Sequence, residues 1–291
     1  MITPAAPLLA RVAMPDGGAR WAIRLGEAIH RLANAALESA PAHAIIAAAA
    51  GDLARLVGEP LPVPAGGQAP RLLAPLDRGE VWAAGVTYER SRQARVEEAE
   101  IPDIYARVYT AERPELFFKA TAARVVGPGA PIGVRREARW TVPEPELALV
   151  LDPDLRIVGC TIGNDVTARD LEAANPLYLP QAKIYPGSCA LGPGIAAAGD
   201  PAAIPDLGIG CTIGRSGAIL WEASTSSGRI VRSWPDLARF VAGCGPFPDG
   251  VVLLTGTGVV PPDDVSLAPG DVVRVEIEGI GVLENPVVAV G

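Results

Sequence analysis

From Thr141 to the C-terminus the chain is a succession of short apolar runs broken by Gly, Pro and Asp. The runs are ELALVL (146–151), RIVGCTIGNDV (156–166), GCTIGRSGAILWEAS (210–224), VVLLTGTGVV (251–260) and DVVRVEIEGIGVLENPVVAV (271–290). Turn signals recurring at intervals of about ten residues, with few long helical patterns, predict a β-sandwich or roll and not a doubly wound parallel sheet. The expected class is α+β, mainly β.

Upstream the pattern changes. LLARVAMPDGGARWAIRL (8–25) reads as strand, turn and strand, and residues 27–57 are mostly helix formers, broken near Pro41 and closed by Gly58. EPLPVPAGGQAP (59–70) has linker chemistry, with little to bury. These shifts predict a small N-terminal α/β domain over residues 1–71 and a catalytic β-sandwich roll over 72–291. Within the latter, EVWAAGVTY (80–88) and ELFFKA (115–120) read as strands, and the charged stretch 89–114 between them as helix. No internal repeat stands out.

Composition narrows the class. The chain has 291 residues, 49% of them hydrophobic and 20% charged, which marks a folded globular protein with an ample core. Aromatics are 5%, so the core must be built from Ala, Val, Leu and Ile. A formal charge of −8 disfavours a nucleic-acid or anionic-membrane partner. The longest apolar run, Ala44–Ala50, is too short to span a bilayer, and the N-terminus has no basic region before its apolar residues, so a cytoplasmic protein without a secretory signal is expected. Cys160, Cys189, Cys211 and Cys244 form no CxxC pair and lie in apolar or Gly-rich stretches, which predicts buried free thiols.

The densest candidate chemistry lies at TVPEPELALVL (141–151). On a strand Glu144 and Glu146 share a face, and two carboxylates so close repel unless a cation or a proton relieves them. A hairpin through the DPDL turn (152–155) pairs Glu144 with a residue near Gly163 and brings Asp165 within reach. Three converging carboxylates make a hard-oxygen site for Mg²⁺, Mn²⁺ or Ca²⁺. The plainer alternative is a pair of exposed edge charges and a turn-capping aspartate; the apolar runs that follow the glutamates and precede the aspartate favour the metal site.

Further along, Arg169 and Asp170 read as a structural ion pair near a helix start. Glu172 and Lys183 flank an aromatic and proline-rich loop directly after Asp165. A lysine beside a divalent cation is placed to stabilise an enolate or to transfer a proton, whereas a solvated lysine is the ordinary alternative. In LLTGTGVVPP (253–262) the backbone of Gly256 and the hydroxyl of Thr257 offer a cradle for a carboxylate or phosphate, with a plain tight turn equally compatible. The glycines of LGIGCTIGRSG (207–217) lack the helix and downstream acid of a dinucleotide loop. Only two histidines exist, His30 and His43, both in Ala-rich, helix-like sequence near the N-terminus. A Ser-His-Asp triad or a His-ligated zinc in the main domain is thereby disfavoured.

Taken in order, PELFFKA, VPEPELALVL, GCTIGNDVTARDLE, LPQAKIY, GSCALGP and LLTGTG resemble the fumarylacetoacetate hydrolase family over roughly Leu72 to Gly291. The resemblance implies a mixed β-sandwich roll, a homodimer or homotetramer, and one divalent cation per site. It implies Glu144, Glu146 and Asp165 as metal ligands, Lys183 as the active-site lysine and Thr257 as the holder of a substrate carboxylate. The family's C–C hydrolases carry a water-activating histidine shortly after a tyrosine; here Tyr88 is present but Ser91 stands at the histidine's place, and Glu172 replaces a common glutamine. That combination resembles the family's sugar-acid branch, which dehydrates 2-keto-3-deoxy-pentonates such as 2-dehydro-3-deoxy-arabinonate to 2,5-dioxopentanoate.

The expected function is therefore a Mg²⁺-dependent lyase acting on a small 2-oxo acid. Lys183 or Glu172 removes the C3 proton, and Tyr88, Ser91, Arg92, Gly256 and Thr257 contact substrate. The alternatives are a C–C hydrolase or 2-oxo acid decarboxylase of the same fold and, last, a non-enzymatic metal- or ligand-binding protein.

Overall fold

The computed structural model of the chain describes residues 2–3, 6–62, 70–98, 107–198, 200 and 204–291. The first elements are β1 (Leu8–Ala13), β2 (Ala19–Leu25), β3 (Ala28–Leu32), α1 (Ala42–Ala48), β4 (Val57–Pro60) and β5 (Leu72–Leu73). They are followed by β6 (Glu80–Gly85), α2 (Glu89–Glu98), β7 (Glu115–Thr121), β8 (Ile132–Arg135), β9 (Thr141–Val142), β10 (Pro145–Leu151), β11 (Ile157–Asp165) and β12 (Thr167–Ala168). Then come α3 (Arg169–Ala174), α4 (Leu179–Lys183), β13 (Cys189–Ala197), β14 (Gly208–Arg215) and β15 (Ala218–Ser226). α5 (Trp234–Val241), β16 (Val251–Leu254), β17 (Val272–Ile277) and β18 (Gly281–Val290) complete the chain.

Among the described residues one large mixed sheet runs β4-β3-β2-β1-β13-β11-β10-β16-β6-β7, with β5 on β1, and a second runs β15-β14-β17-β18-β8. The mainly-β expectation holds, and the reason is visible in β10. Leu147, Leu149 and Leu151 face the second sheet, packing in one cluster with Ile209, Ile213, Val273 and Val275. Ala148 and Val150 face the other way, in a cluster with Leu9, Ile23, Ile45 and Ile46 under α1. A strand buried on both faces needs an unbroken apolar run, and ELALVL supplies one.

Two local expectations change. Residues 28–32 form β3, not helix, because Ile23 and His30 pair across the two-residue turn Gly26–Glu27 and Ile29 and Leu32 bury their side chains. Strand pairing here outweighs an Ala-rich composition, whose helical preference is worth ~0.7 kcal/mol per residue or less. Helix persists as α1, which carries His43, and as 3-10 turns at Ala35–Leu37 and Leu53–Leu56, while His30 sits in β3 with Nδ1 3.1 Å from the carbonyl of Gly58. Of the four cysteines, Cys160, Cys189 and Cys211 are buried free thiols, whereas Cys244 is exposed. Burial holds the three buried thiols protonated, with pKa values pushed up to about 12.

The segment before residue 72 shares the large sheet through β1, which pairs with β13 at Leu8–Ala196 and Leu9–Ile195. Most of the linker-like stretch (residues 63–69) and the middle of the charged stretch (99–106) lie outside the described residues. No helix among the described residues is long and apolar enough to cross a membrane.

The strand directions create the site. β6 and β16 are parallel, with Leu254 beside Ala83, so both end at the same edge of the sheet. β10 is antiparallel to β16 and begins at that edge; β11 ends there, with Asp165 opposite Cys189 at the start of β13. Strand ends at one edge bring side chains distant in sequence to one place; α2 and α3 follow closely on them, and α4 follows α3.

Candidate active site

Glu144 and Glu146 stand at the entry to β10, and Asp165 at the exit of β11. Glu146 lies opposite Gly163, and the N–H of Asp165 donates to the carbonyl of Glu144 at 3.0 Å. The hairpin is the expected one, but its register is shifted: Gly163 faces Glu146, and Glu144 faces Asp165. The turn is wider than the four residues 152–155, since Leu151 pairs with Ile157; Asp152 accepts from the N–H groups of Asp154 and Arg156 at 2.9 Å each, and a bulge precedes the turn at Val150/Leu151. The shift brings the acids closer. One oxygen from each of Glu144, Glu146 and Asp165 lies within 4.8 Å of the others, and all three residues are buried.

Three buried cations surround them. Lys183, the last residue of α4, donates to Glu144 Oε2 at 2.5 Å and to Asp165 Oδ2 at 2.8 Å, with its ammonium 5.4 Å from the Phe117 ring centroid. Arg169 donates to Glu144 Oε1 at 2.7 Å and lies 4.0 Å from Glu172. Lys119 pairs with Asp165 and donates to the carbonyls of Lys183 at 2.6 Å and Val166 at 3.2 Å. The side chains of Arg169 and Asp170 are not an ion pair of the expected kind. Neighbours in a helix point in different directions; Asp170 accepts instead from the N–H of Arg139 at 2.9 Å.

The site fits a hard divalent cation on its own chemistry. Burial, and then the charges of Asp165 and Glu144, push the Glu146 carboxyl well above the usual carboxylate range, against the pull of Lys183 and of the Gly256 N–H. Among the described residues, four buried carboxylates (Glu144, Glu146, Asp165, Glu172) meet three buried cations (Lys119, Arg169, Lys183). An all-oxygen donor set carrying surplus negative charge suits Mg²⁺ or a similar ion. The cavity beside it is about 20 Å³, enough for a water or an ion, and its walls include Ser91, Glu115, Phe117, Glu172 and Thr257.

The other expected site residues divide. Ser91, in the first turn of α2, lines the cavity, and its hydroxyl donates to the carbonyl of Tyr88 at 2.8 Å. Arg92 does not line it; its guanidinium holds Glu89 and lies 5.5 Å from the Tyr109 ring centroid. Tyr88 is buried with a hydroxyl that has no hydrogen-bond partner among the described residues, and burial together with Glu146 and Asp206 raises its pKa, so it stays a neutral donor. The Gly256 N–H donates to Glu146 Oε2 at 2.6 Å, fixing a ligand candidate and not facing an open cradle. Thr257 lines the cavity while its hydroxyl donates to the Val259 carbonyl at 3.0 Å and accepts from the Val259 N–H at 3.1 Å.

Four participants were not singled out in the sequence: Lys119, Glu115, Phe117 and Glu98. Glu115 and Phe117 alternate on one face of β7, a period-two signal present in ELFFK but indistinguishable there from an ordinary strand. Lys119 is the extra residue of a bulge, since Val81 pairs with Ala120 and Trp82 with Phe118. Bulges re-aim side chains, and no sequence pattern announces this one.

The mixed roll, the buried E-x-E…D cluster and the adjoining lysine define a family, and the sequence profile described as "Fumarylacetoacetate (FAA) hydrolase C-terminal" matches residues 80–288. The chain belongs to the fumarylacetoacetate hydrolase family. It is 47% identical over 216 residues to a probable 2-keto-3-deoxyxylonate dehydratase of Haloferax volcanii, covering 74% of each chain. It is 46% identical over 221 residues to the 2-dehydro-3-deoxy-D-arabinonate dehydratase of Saccharolobus solfataricus, covering 75% of this chain and 74% of that one. In structure it is similar to a 2-keto-3-deoxy-D-arabinonate dehydratase complexed with magnesium and 2,5-dioxopentanoate, with a TM-score of 0.82 at 36% identity over 98% of this chain and 99% of the other.

Proposed function

We propose that this protein is a Mg²⁺-dependent dehydratase converting a 2-keto-3-deoxy-pentonate, such as 2-dehydro-3-deoxy-arabinonate, to 2,5-dioxopentanoate. The observation that carries the reading is the buried cluster of Glu144, Glu146, Asp165 and Lys183 in a cavity whose wall holds Glu172 and no histidine. Elimination of water needs a base at C3 and stabilisation of the enolate, but no activated water.

Glu144, Glu146 and Asp165 would hold Mg²⁺, and the chemistry that ion would supply is a Lewis acid at the 2-oxo group, which would make the C3 protons acidic. Lys183 directs two of its three N–H donors to Glu144 and Asp165, so it serves as a fixed positive charge beside the developing enolate. That leaves Glu172 as the base. Its carboxylate takes a C3 proton, the C3–C4 double bond forms as the C4 hydroxyl leaves, and the protonated Glu172 returns the proton to that hydroxyl as water departs. Proton transfer from C5 to C3 of the unsaturated 5-hydroxy product then gives the C4–C5 enol, which becomes the aldehyde as the C5 hydroxyl loses its proton and C4 gains one, so one water is lost overall. Ser91 and Thr257, on the cavity wall, are the contacts assigned to the polar groups of the sugar acid.

Incubation with Mg²⁺ and 2-dehydro-3-deoxy-arabinonate, followed by proton NMR, is expected to show 2,5-dioxopentanoate. Pyruvate with glycolaldehyde would sink the reading. Glu172→Gln is expected to lower kcat at least ~100-fold with cation affinity retained.

The same reading extends to a cytoplasmic homo-oligomer in which residues 1–71 form a small unit docked through β1. Leu177, Tyr178, Ile219 and Leu220 are exposed and offer apolar surface for such an assembly. Light scattering on the eluting protein gives the mass; a monomer at micromolar concentration contradicts the assembly.

A further inference from the structure

We infer that Glu98 is a positioning residue for the cation site, acting through Arg169. The inference rests on Glu144 being a metal ligand. Glu98 ends α2, and its carboxylate accepts a hydrogen bond from Arg169 Nη1 at 3.1 Å while Arg169 Nη2 donates to Glu144 at 2.7 Å. The contact is out of solvent, with side-chain exposure of 1% for Arg169 and 6% for Glu98. Arg169 also lies 4.0 Å from Glu172, and its guanidinium carbon is 5.9 Å from the Trp140 ring centroid. One cation therefore meets carboxylates from α2, from the entry to β10 and from α3.

Geometry and charge act in the same direction here. A guanidinium is planar and its donors form a rigid fork, so the hydrogen bond to Glu98 fixes the direction from which Nη2 holds Glu144. Glu98 also offsets the charge of Arg169. Without it, more of that positive charge bears on Glu144 and opposes a cation arriving there. Because α2 also brings Ser91 to the cavity wall, the Glu98 contact ties that wall to the ligand set.

The test is Mn²⁺ binding to chelator-treated protein without substrate, read from the electron paramagnetic resonance of free Mn²⁺. Glu98→Gln keeps the shape and removes the charge; its Mn²⁺ affinity is expected to fall about tenfold, as for other groups that orient metal ligands. Glu97→Gln removes the same charge one residue away, from an exposed side chain that lies 3.7 Å from Arg90, and is expected to bind like the wild type. Wild-type affinity in Glu98→Gln overturns the inference, and so does an equal loss in both variants, which would make the effect one of long-range charge. No Mn²⁺ binding to the wild type would instead overturn the metal reading, and the inference with it. Should Glu98→Gln not fold, Glu98→Asp carries the same test with a smaller expected loss, since it keeps the charge and withdraws the carboxylate from Arg169.

Discussion

Replacing Gly256 with alanine probes how closely the loop after β16 supports the site. Gly256 has φ +95°, and an added Cβ would lie 2.0 Å from Thr87 Oγ1 and 3.0 Å from the carbonyl oxygen of Ala84. The backbone conformation alone costs about 1–2 kcal/mol for a residue with a Cβ. Thr87 is fully buried and its hydroxyl donates to the carbonyl of Thr255 at 2.6 Å. Clearing the new methyl requires that hydroxyl to turn away, leaving a buried acceptor unpaired at a further ~1–3 kcal/mol. Together the variant should be destabilised by roughly 2–5 kcal/mol. Gly217 is the control: its φ is +80° and nothing lies within 4 Å of its Cβ position, so Gly217→Ala carries the strain without the clash. Urea unfolding of both variants measures the difference. Because the Gly256 N–H also donates to Glu146, Mn²⁺ affinity is expected to fall in Gly256→Ala and to hold in Gly217→Ala. Equal destabilisation of the two variants would refute the packing argument.

Lys119→Met removes a fully buried ammonium that pairs with Asp165 and ties the carbonyls of Lys183 and Val166 together. Breaking one side of a buried ion pair should cost about 3–5 kcal/mol, read as a lowered urea midpoint, and an unchanged midpoint would remove Lys119 from its role as a strut. At Asp271 burial raises the pKa, but the hydrogen bonds from Arg215 and the Ala268 N–H, with the charge of Arg215, outweigh it and hold the carboxyl below its usual range. A carboxyl depressed in the folded state adds stability that is present above its unfolded pKa, about 3.9, and is lost as pH falls through the folded value. Asp271→Asn should therefore be less stable than the wild type at pH 6, with the gap closing below about pH 4; a gap independent of pH would contradict the assignment.

Much of the site was legible in the sequence because strand periodicity is local. The spacing of Glu144 and Glu146 puts them on one face, an apolar run explains a strand buried on both sides, and a turn at 152–155 returns Asp165 to the glutamates. Even there the register was decided by the width of the turn and the bulge at Val150/Leu151, which no pattern of residue types encodes. The helix expected over residues 28–32 became β3 because a neighbouring strand offered a partner, and propensity is weaker than pairing.

What the sequence determined by itself was the mainly-β class, the acidic triad, and Lys183 and Glu172 as its companions. Only the tertiary structure decided which cations neutralise the acids. Lys119 reaches Asp165 from a bulge 46 residues away, and Arg169 joins Glu98 to Glu144 across three elements. The physical reason is that compensation of a buried charge depends on distance in space, on the order of 4 Å, and that distance is set by which strand ends share an edge of the sheet.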